Sequence, residues 1–170
     1  DIKFEDIFDI EDIQKIQDAF AFGTGVASII THPNGTPITN PSNFSRLCEI
    51  IRSTDKGMEN CYKSYAELGK FDIDDYKMQP CLSAGFLDLG TSILVGDKHI
   101  ANWVIGQVID ENIDENSILN YADVIGASKE EFREALKKVT RMPREQFEKI
   151  CKALHLIAKQ LSLLAIQNIQ

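Results

Sequence analysis

Two apolar runs separated by a short polar turn stand out in the middle of the chain. Ser92-Ile93-Leu94-Val95 and Ile100-Ala101-Asn102-Trp103-Val104-Ile105 are rich in β-branched and aromatic side chains, and Gly96-Asp97-Lys98 lies between them. This arrangement is typical of a β-hairpin. Glycines also occur along the stretch, at Gly85, Gly90 and Gly106. Glycine within a strand marks a bulge or the close approach of a ligand, so the stretch predicts either ordinary sheet curvature or a small-molecule pocket.

The N-terminal part shows helical periodicity followed by a shorter strand pair. Asp9 can cap a helix that ends near Gly23, because apolar residues recur on one face at Ile10, Ile13, Ile16 and Phe20. Residues 26–30 form a β-branched run, and residues 37–39 begin a second strand after the turn His32-Pro33-Asn34-Gly35. These two segments predict a second hairpin.

Helices are predicted on either side of the central strands. Residues 44–51 and 58–68 have helical patterns, with Asn43 or Ser42 as the cap of the first and Gly69 as the end of the second. Strands are expected to resume only after Pro80. Beyond Val108 the chain returns to helices that open at Asn116 or Ser117, at the capping box of Ser128 and at Pro143. Helices packed against one antiparallel sheet make an α+β fold.

The last helix is the longest, and we treat residues 1–142 and 143–170 as the core domain and its C-terminal helix. Its apolar residues recur at three- and four-residue steps: Phe147, Ile150, Cys151, Leu154, Ile157, Ala158, Leu161, Leu164 and Ala165. The face is wider than a two-stranded seam requires. It predicts a helix that packs inward on one flank and on a second copy of the chain on the other, or a terminal helix that only covers the sheet.

Composition narrows the possible functions. The 170 residues carry a net charge of −8, which disfavours nucleic-acid binding because phosphates require a basic surface. No apolar run approaches the length of a membrane span and the N-terminus is acidic, so we expect a cytoplasmic location without membrane contact. The sequence has no phosphate-binding loop, G-x-S-x-G or H-E-x-x-H motif. We therefore do not expect this segment to be an enzyme.

The order of several short segments resembles a known family. DIQKIQDAFAFGTG (residues 12–25) and HPNGTPIT (32–39) precede FSRLC (44–48) and GMENC (57–61), and CLSAGFLD (81–88) and VIGQV (104–108) follow. This combination resembles the PocR sensory domain from about residue 9 to the last helix. The resemblance implies a domain with a PAS-like antiparallel sheet, and a function in sensing small hydrocarbon derivatives such as short diols. It also implies an output domain beyond this chain, such as a histidine kinase or a transcriptional regulator.

The positions that the resemblance marks are Cys48, Cys61, Cys81, Gly85, Asp88, Gly106 and Gln107. One departure is plain, because the family usually has His directly after the third cysteine and this chain has Leu82. An imidazole there could ligate a metal or hydrogen-bond a ligand, and Leu82 can do neither.

The cysteines admit three interpretations. Cys48, Cys61 and Cys81 could converge on one face of the sheet and form a thiolate metal site, although no close C-x2-C pair is present. Two of the thiols could form a redox switch. They could also be inert side chains that line a pocket or core, which we favour; no cofactor is then required. Cys151, on the last helix, is expected in the core.

For the ligand site we predict an aromatic wall and polar groups around the three cysteines. Residues 103, 105 and 107 share one face of a regular strand, so Trp103 and Gln107 should point the same way. Gln107 can donate and accept hydrogen bonds, which suits a small alcohol or diol. The alternative is that Trp103 is core and Gln107 faces solvent. The predicted ligand-binding residues are Cys48, Cys61, Cys81, Ser83, Phe86, Trp103 and Gln107.

Two classes of function remain. The first is a sensor of a small organic ligand that signals through the terminal helix, as a dimer. The second is a metal- or redox-sensing module built on the cysteines. A structural dimerisation domain is a third possibility, which a sheet face without a cavity would favour.

Overall fold

A computed structural model describes residues 1–68, 77–80 and 86–169 of the chain. Its helices are α1 (Phe4–Ile7), α2 (Ile10–Thr24), α3 (Arg46–Arg52), α4 (Asp55–Leu68), α5 (Glu115–Ile125), α6 (Lys129–Leu136) and α7 (Arg144–Ile169). Its strands are β1 (Ala27–Thr31), β2 (Lys77–Pro80), β3 (Leu87–Val95) and β4 (Lys98–Val108). The predicted α+β class, with an antiparallel sheet, flanking helices and a long C-terminal helix, is confirmed.

Within the described ranges the strands form one sheet in the order β1-β4-β3-β2, and all neighbouring strands are antiparallel. The central pair, β3 and β4, is the predicted hairpin around Gly96, which has a φ of 61°. The strands extend further than predicted, since β3 already begins at Leu87. β2 begins at Lys77 and ends at Pro80, so the expectation that strands resume only after this proline is wrong. Proline is tolerated there because β2 lies at an edge of the sheet.

The second predicted hairpin is reduced to two bridges. Thr31 pairs with Pro37 and Ser28 pairs with Ser42, but residues 37–39 do not form a strand. Side chains hold this segment instead: Gln17 of α2 is fully buried and donates to Ser42 Oγ at 2.6 Å and to the Ser28 carbonyl oxygen at 3.2 Å. The first bond holds the Ser42 side chain, and the second adds to the backbone bond that the Ser28 carbonyl oxygen accepts from the Ser42 N–H at 2.9 Å.

Two predicted helix caps are corrected by the structure. Ser45 caps α3 by accepting a hydrogen bond from the Cys48 N–H at 3.2 Å, in place of Asn43 or Ser42. Asn43 instead has a φ of 55° and donates to the carbonyl oxygen of Val26. Asp114 caps α5 in place of the predicted Asn116 or Ser117, which lie two and three residues further on. Asp9 and Ser128 cap their helices as predicted.

The two faces of the sheet are covered by different helices. One face packs against α2 and α7, where the buried core includes Trp103, Phe147, Cys151 and Leu154. On the other face, Ile29 and Val104 pack with Tyr65 of α4, next to a cluster that α3, α5 and α6 build around Leu47 and Phe132. The sheet therefore separates the 26-residue helix α7 on one side from a layer of shorter helices on the other.

The longest helix, α7, is anchored to β3 by polar as well as apolar contacts. Ser162 Oγ accepts from the Leu94 N–H at 3.0 Å, and His155 Nδ1 lies 3.2 Å from Thr91 Oγ1. In the described part of the chain this helix is long and apolar enough to cross a membrane by length and composition, contrary to the prediction that no such stretch exists. Because its inner face is part of the core, and core helices of soluble proteins pass the same test, this finding is weak support for a membrane span.

Candidate functional site

A small, mostly apolar cavity lies between the sheet and helices α3 and α4. Its volume is about 30 Å³, enough for one or two water molecules. The described residues that line it are Ala27, Ser28, Ile29, Phe44, Cys48, Ile51, Arg52, Cys61, Ser64, Tyr65, Phe86, Asp88, Val104, Ile105, Gly106 and Gln107. Apolar walls with a few convergent polar groups are the usual composition of a small-molecule site.

The floor of the cavity is built around a bulge in the central hairpin. Leu87 pairs with Val108 and Leu89 pairs with Ile105, so Asp88 alone faces both Gly106 and Gln107. Asp88 Oδ1 accepts a hydrogen bond from the Gln107 N–H at 3.0 Å. A Cβ on Gly106 would lie 1.8 Å from the same oxygen, so the Asp88 side chain can occupy this position only because residue 106 is glycine.

Gln107 connects this bulge to the first helix above the cavity. Its φ is 58°, a left-handed conformation that is uncommon for residues other than glycine. Its side-chain Oε1 accepts from the backbone N–H of Ser45 at 2.8 Å. Since Ser45 caps α3, the strand end and the start of the helix are held together at the cavity.

Asp88 has an unusual titration because it is buried. It is 6 % exposed, and removal from water raises the pKa of its carboxyl group from 3.8 to about 7. The hydrogen bond from the Gln107 N–H acts in the opposite direction, because it favours the ionised form. The cavity therefore contains a carboxyl group that changes its charge near neutral pH.

Arg52 and Phe44 separate the cavity from a larger groove outside. Both residues line the cavity and also the groove, which has a volume of about 670 Å³. The guanidinium carbon of Arg52 lies 5.1 Å from the centre of the Phe44 ring, and Arg52 Nη1 donates to Tyr65 Oη at 2.9 Å. Burial, together with the nearby Cys61 and other groups, raises the pKa of the Tyr65 hydroxyl group, so it is neutral near pH 7.

The structure brings together four of the predicted binding residues. Cys48, Cys61, Phe86 and Gln107 all line the cavity. Cys81 and Ser83 lie outside the described residues. The described wall also contains Arg52, Tyr65 and Asp88. The family resemblance marked Asp88, whereas no sequence motif pointed to Arg52 or Tyr65.

Trp103 lies on the other side of the sheet from Gln107. It is fully buried, its ring is 6.0 Å from that of Phe20, and its Nε1 donates to Ser28 Oγ at 2.7 Å. The prediction that Trp103 and Gln107 face the same way assumed regular alternation along β4. The extra residue of the bulge and the positive φ of Gln107 break this alternation, so the side chain of residue 107 turns to the face of Val104.

The cysteines divide between the two faces. Cys48 and Cys61 line the cavity, whereas Cys151 lies in the core beneath α7, as predicted. Burial raises the pKa of the Cys151 thiol to about 12, so it stays protonated and unreactive. Over the described ranges, no three His, Cys, Asp or Glu side chains lie close enough to hold a metal ion; Cys81 lies outside these ranges.

The described residues thus form an α+β domain with a small, mostly apolar cavity beneath two helices and a long helix on the opposite face of the sheet. Comparison with protein families identifies the family of the chain: residues 6–166 match the sensory domain found in PocR. The chain belongs to this family, and the predicted resemblance is confirmed. Comparisons with curated proteins and with solved structures found no match.

Proposed function

We propose that this domain is the ligand-sensing input of a bacterial signal-transduction protein and that its ligand is a short diol or alcohol bound in the cavity. The observation that carries the proposal is the wall itself, in which apolar side chains surround a carboxyl group, a tyrosine hydroxyl group and a guanidinium group. These groups can pair the hydroxyl groups of a small neutral molecule while the remaining surface contacts its carbon atoms. The domain binds its signal and carries out no chemical reaction.

The size of the cavity implies that binding moves its walls. A volume of about 30 Å³, enough for one or two water molecules, is too small for a diol such as propane-1,2-diol. Helices α3 and α4 form the roof, and the contact between Gln107 and Ser45 links α3 to the end of β4. Ligand binding would displace these helices and alter the strained end of β4.

The relay to the output domain runs through the sheet to α7. Asp88 lies in β3 on the cavity side, and Thr91 and Leu94 of the same strand contact His155 and Ser162 of α7. A change in the twist of β3 would therefore change how α7 packs. The receiving domain is a histidine kinase or a transcriptional regulator in the cytoplasm, and the domain does not itself contact membrane or nucleic acid.

A homodimer through α7 would make this relay a change between two packings of a helix pair. The outer surface of α7 carries apolar side chains that the domain does not cover, Leu156, Leu163, Leu164, Ile166 and Ile169. Such residues on a terminal helix favour association with the same helix of a second copy.

Native mass spectrometry of the purified domain tests the ligand, the oligomeric state and the cysteine-based alternative together. After incubation with propane-1,2-diol we expect a dimer that carries the added mass of one diol per protomer, in the wild type and in Cys48→Ser. The alternative function is favoured by the fact that Cys48 and Cys61 share the cavity. It predicts instead a bound metal mass that Cys48→Ser removes and Cys151→Ser keeps, and this result would replace the sensor proposal.

Arg52→Ala should speed ligand association about tenfold. The side chain of Arg52 closes the cavity with a hydrogen bond and a cation–π contact, and breaking both to admit a ligand costs roughly 1–2 kcal/mol. Stopped-flow fluorescence of Trp103 measures this rate. Arg46→Ala is the matched control, because Arg46 lies on the same helix in an exposed pair with Glu49. Equal association rates in both variants would show that the ligand enters by another route.

A further inference from the structure

Asp88 is a buried carboxyl group, and an asparagine could fill its structural role at a lower cost in folding free energy. The bond from the Gln107 N–H to Asp88 Oδ1 closes the bulge, and the oxygen of an asparagine amide would accept it equally well. An asparagine would also avoid the cost of placing an ionisable group away from water. The bulge alone therefore does not explain a carboxyl group at this position.

The other polar side chains of the described wall are donors or are already engaged. Arg52 can only donate, and it contacts Tyr65. Gln107 Oε1 accepts from Ser45, and Ser28 Oγ accepts from Trp103 and donates to the Val104 carbonyl oxygen. Asp88 is the carboxylate among the described lining residues, and an ionised carboxylate only accepts hydrogen bonds.

We propose that the Asp88 carboxylate accepts a hydrogen bond from a hydroxyl group of the ligand, so that the cavity selects molecules with a donor group and rejects the corresponding ethers. This inference rests on the proposed function and identifies the residue that sets its specificity. The bulge at Gly106 and Gln107 holds the carboxylate in place before the ligand arrives, which reduces the entropy lost on binding.

A consequence is that ligand affinity depends on pH. The groups that face Asp88 across the cavity are Cys48 and Arg52 on α3 and Cys61 and Tyr65 on α4. Among them Arg52 is charged at all relevant pH values, and the Tyr65 hydroxyl group stays neutral. A bond to an ionised carboxylate is stronger than a bond to a neutral acceptor, so affinity should rise with pH as Asp88 ionises near pH 7.

The test compares propane-1,2-diol with its dimethyl ether, 1,2-dimethoxypropane, by amide chemical-shift titration of the domain at pH 6 and pH 8. The wild type should bind the diol more tightly at pH 8 and the ether at least tenfold more weakly than the diol. Asp88→Asn should bind the diol about 10- to 100-fold more weakly at pH 8 and lose the pH dependence. Asp97→Asn, which removes the same charge from the exposed hairpin turn, should behave as the wild type.

Diol binding that is equally tight in Asp88→Asn and in the wild type would overturn the role of Asp88 and leave the proposed function standing. Absence of cavity shifts with either probe, in all three proteins, would overturn the diol-sensor function itself. Since the asparagine variant keeps the bond from Gln107, a folded spectrum separates lost binding from lost structure.

Discussion

Asp88→Asn is expected to make the domain more stable above pH 7, although it weakens ligand binding. The pKa of Asp88 is about 7 in the folded protein and about 3.9 in the unfolded chain. Between these values the folded state holds a proton on Asp88 that the unfolded state has lost, so the contribution of Asp88 to wild-type stability falls as the pH rises from about 4 to about 7 and is constant above. The full difference corresponds to about 4 kcal/mol. Because asparagine does not ionise, the variant escapes this loss.

Urea unfolding at pH 4.5 and pH 8 measures the effect. The stability difference between Asp88→Asn and the wild type should be small at pH 4.5 and should approach its full value at pH 8. Asp97→Asn serves as the control for a change of net charge, since its carboxyl group is exposed. A difference that is the same at both pH values would mean that Asp88 titrates alike in the folded and unfolded states.

The two effects of one substitution have the same physical origin. A carboxylate desolvated in the empty cavity is unfavourable for folding and, for the same reason, forms a strong hydrogen bond with a ligand that replaces water. Binding sites that retain such groups commonly trade stability for function. Asp88 is therefore the position at which the stability of the domain and its proposed sensing role conflict.

The regular parts of the fold could be predicted from the sequence. The hairpin of β3 and β4 followed from its β-branched composition and from Gly96, and the start of α2 from Asp9. Helix caps were less predictable, because Ser42, Asn43 and Ser45 all have suitable side chains. Tertiary bonds decide between them: Ser42 is engaged by Gln17 and Asn43 by Val26, and Ser45 is the one that begins α3.

The candidate site was predictable where it depends on composition and not where it depends on irregular backbone. Cys48, Cys61, Phe86 and Gln107 were placed at the cavity by a pattern of segments. The prediction that Trp103 and Gln107 point to the same face was wrong, because a one-residue bulge exchanges the two faces of a strand. Gly106 signalled a bulge or a close approach, and it provides both, but its partner Asp88 became clear only from the register of β3 and β4.

Gly106→Ala should destabilise the domain by about 3 kcal/mol, at the upper end of what overpacking of a buried position costs. The added methyl group would lie 1.8 Å from Asp88 Oδ1 and 2.8 Å from the Leu87 carbonyl oxygen. Neither neighbour is free to move, since the Gln107 N–H holds the first and the second is backbone. Gly23→Ala is the matched control: no heavy atom lies within 4 Å, and alanine in α2 should stabilise the helix by up to about 1 kcal/mol.

A double-mutant cycle attributes the loss at Gly106 to its contact with Asp88. In an Asp88→Ala background the carboxylate is absent, so Gly106→Ala should cost clearly less than in the wild type, with a remainder due to the Leu87 carbonyl oxygen. Equal losses in both backgrounds would assign the role of Gly106 to the backbone of β3 alone. A smaller loss in the Asp88→Ala background would instead show that the glycine is required by the carboxylate, because an alanine at residue 106 prevents the close approach of Asp88.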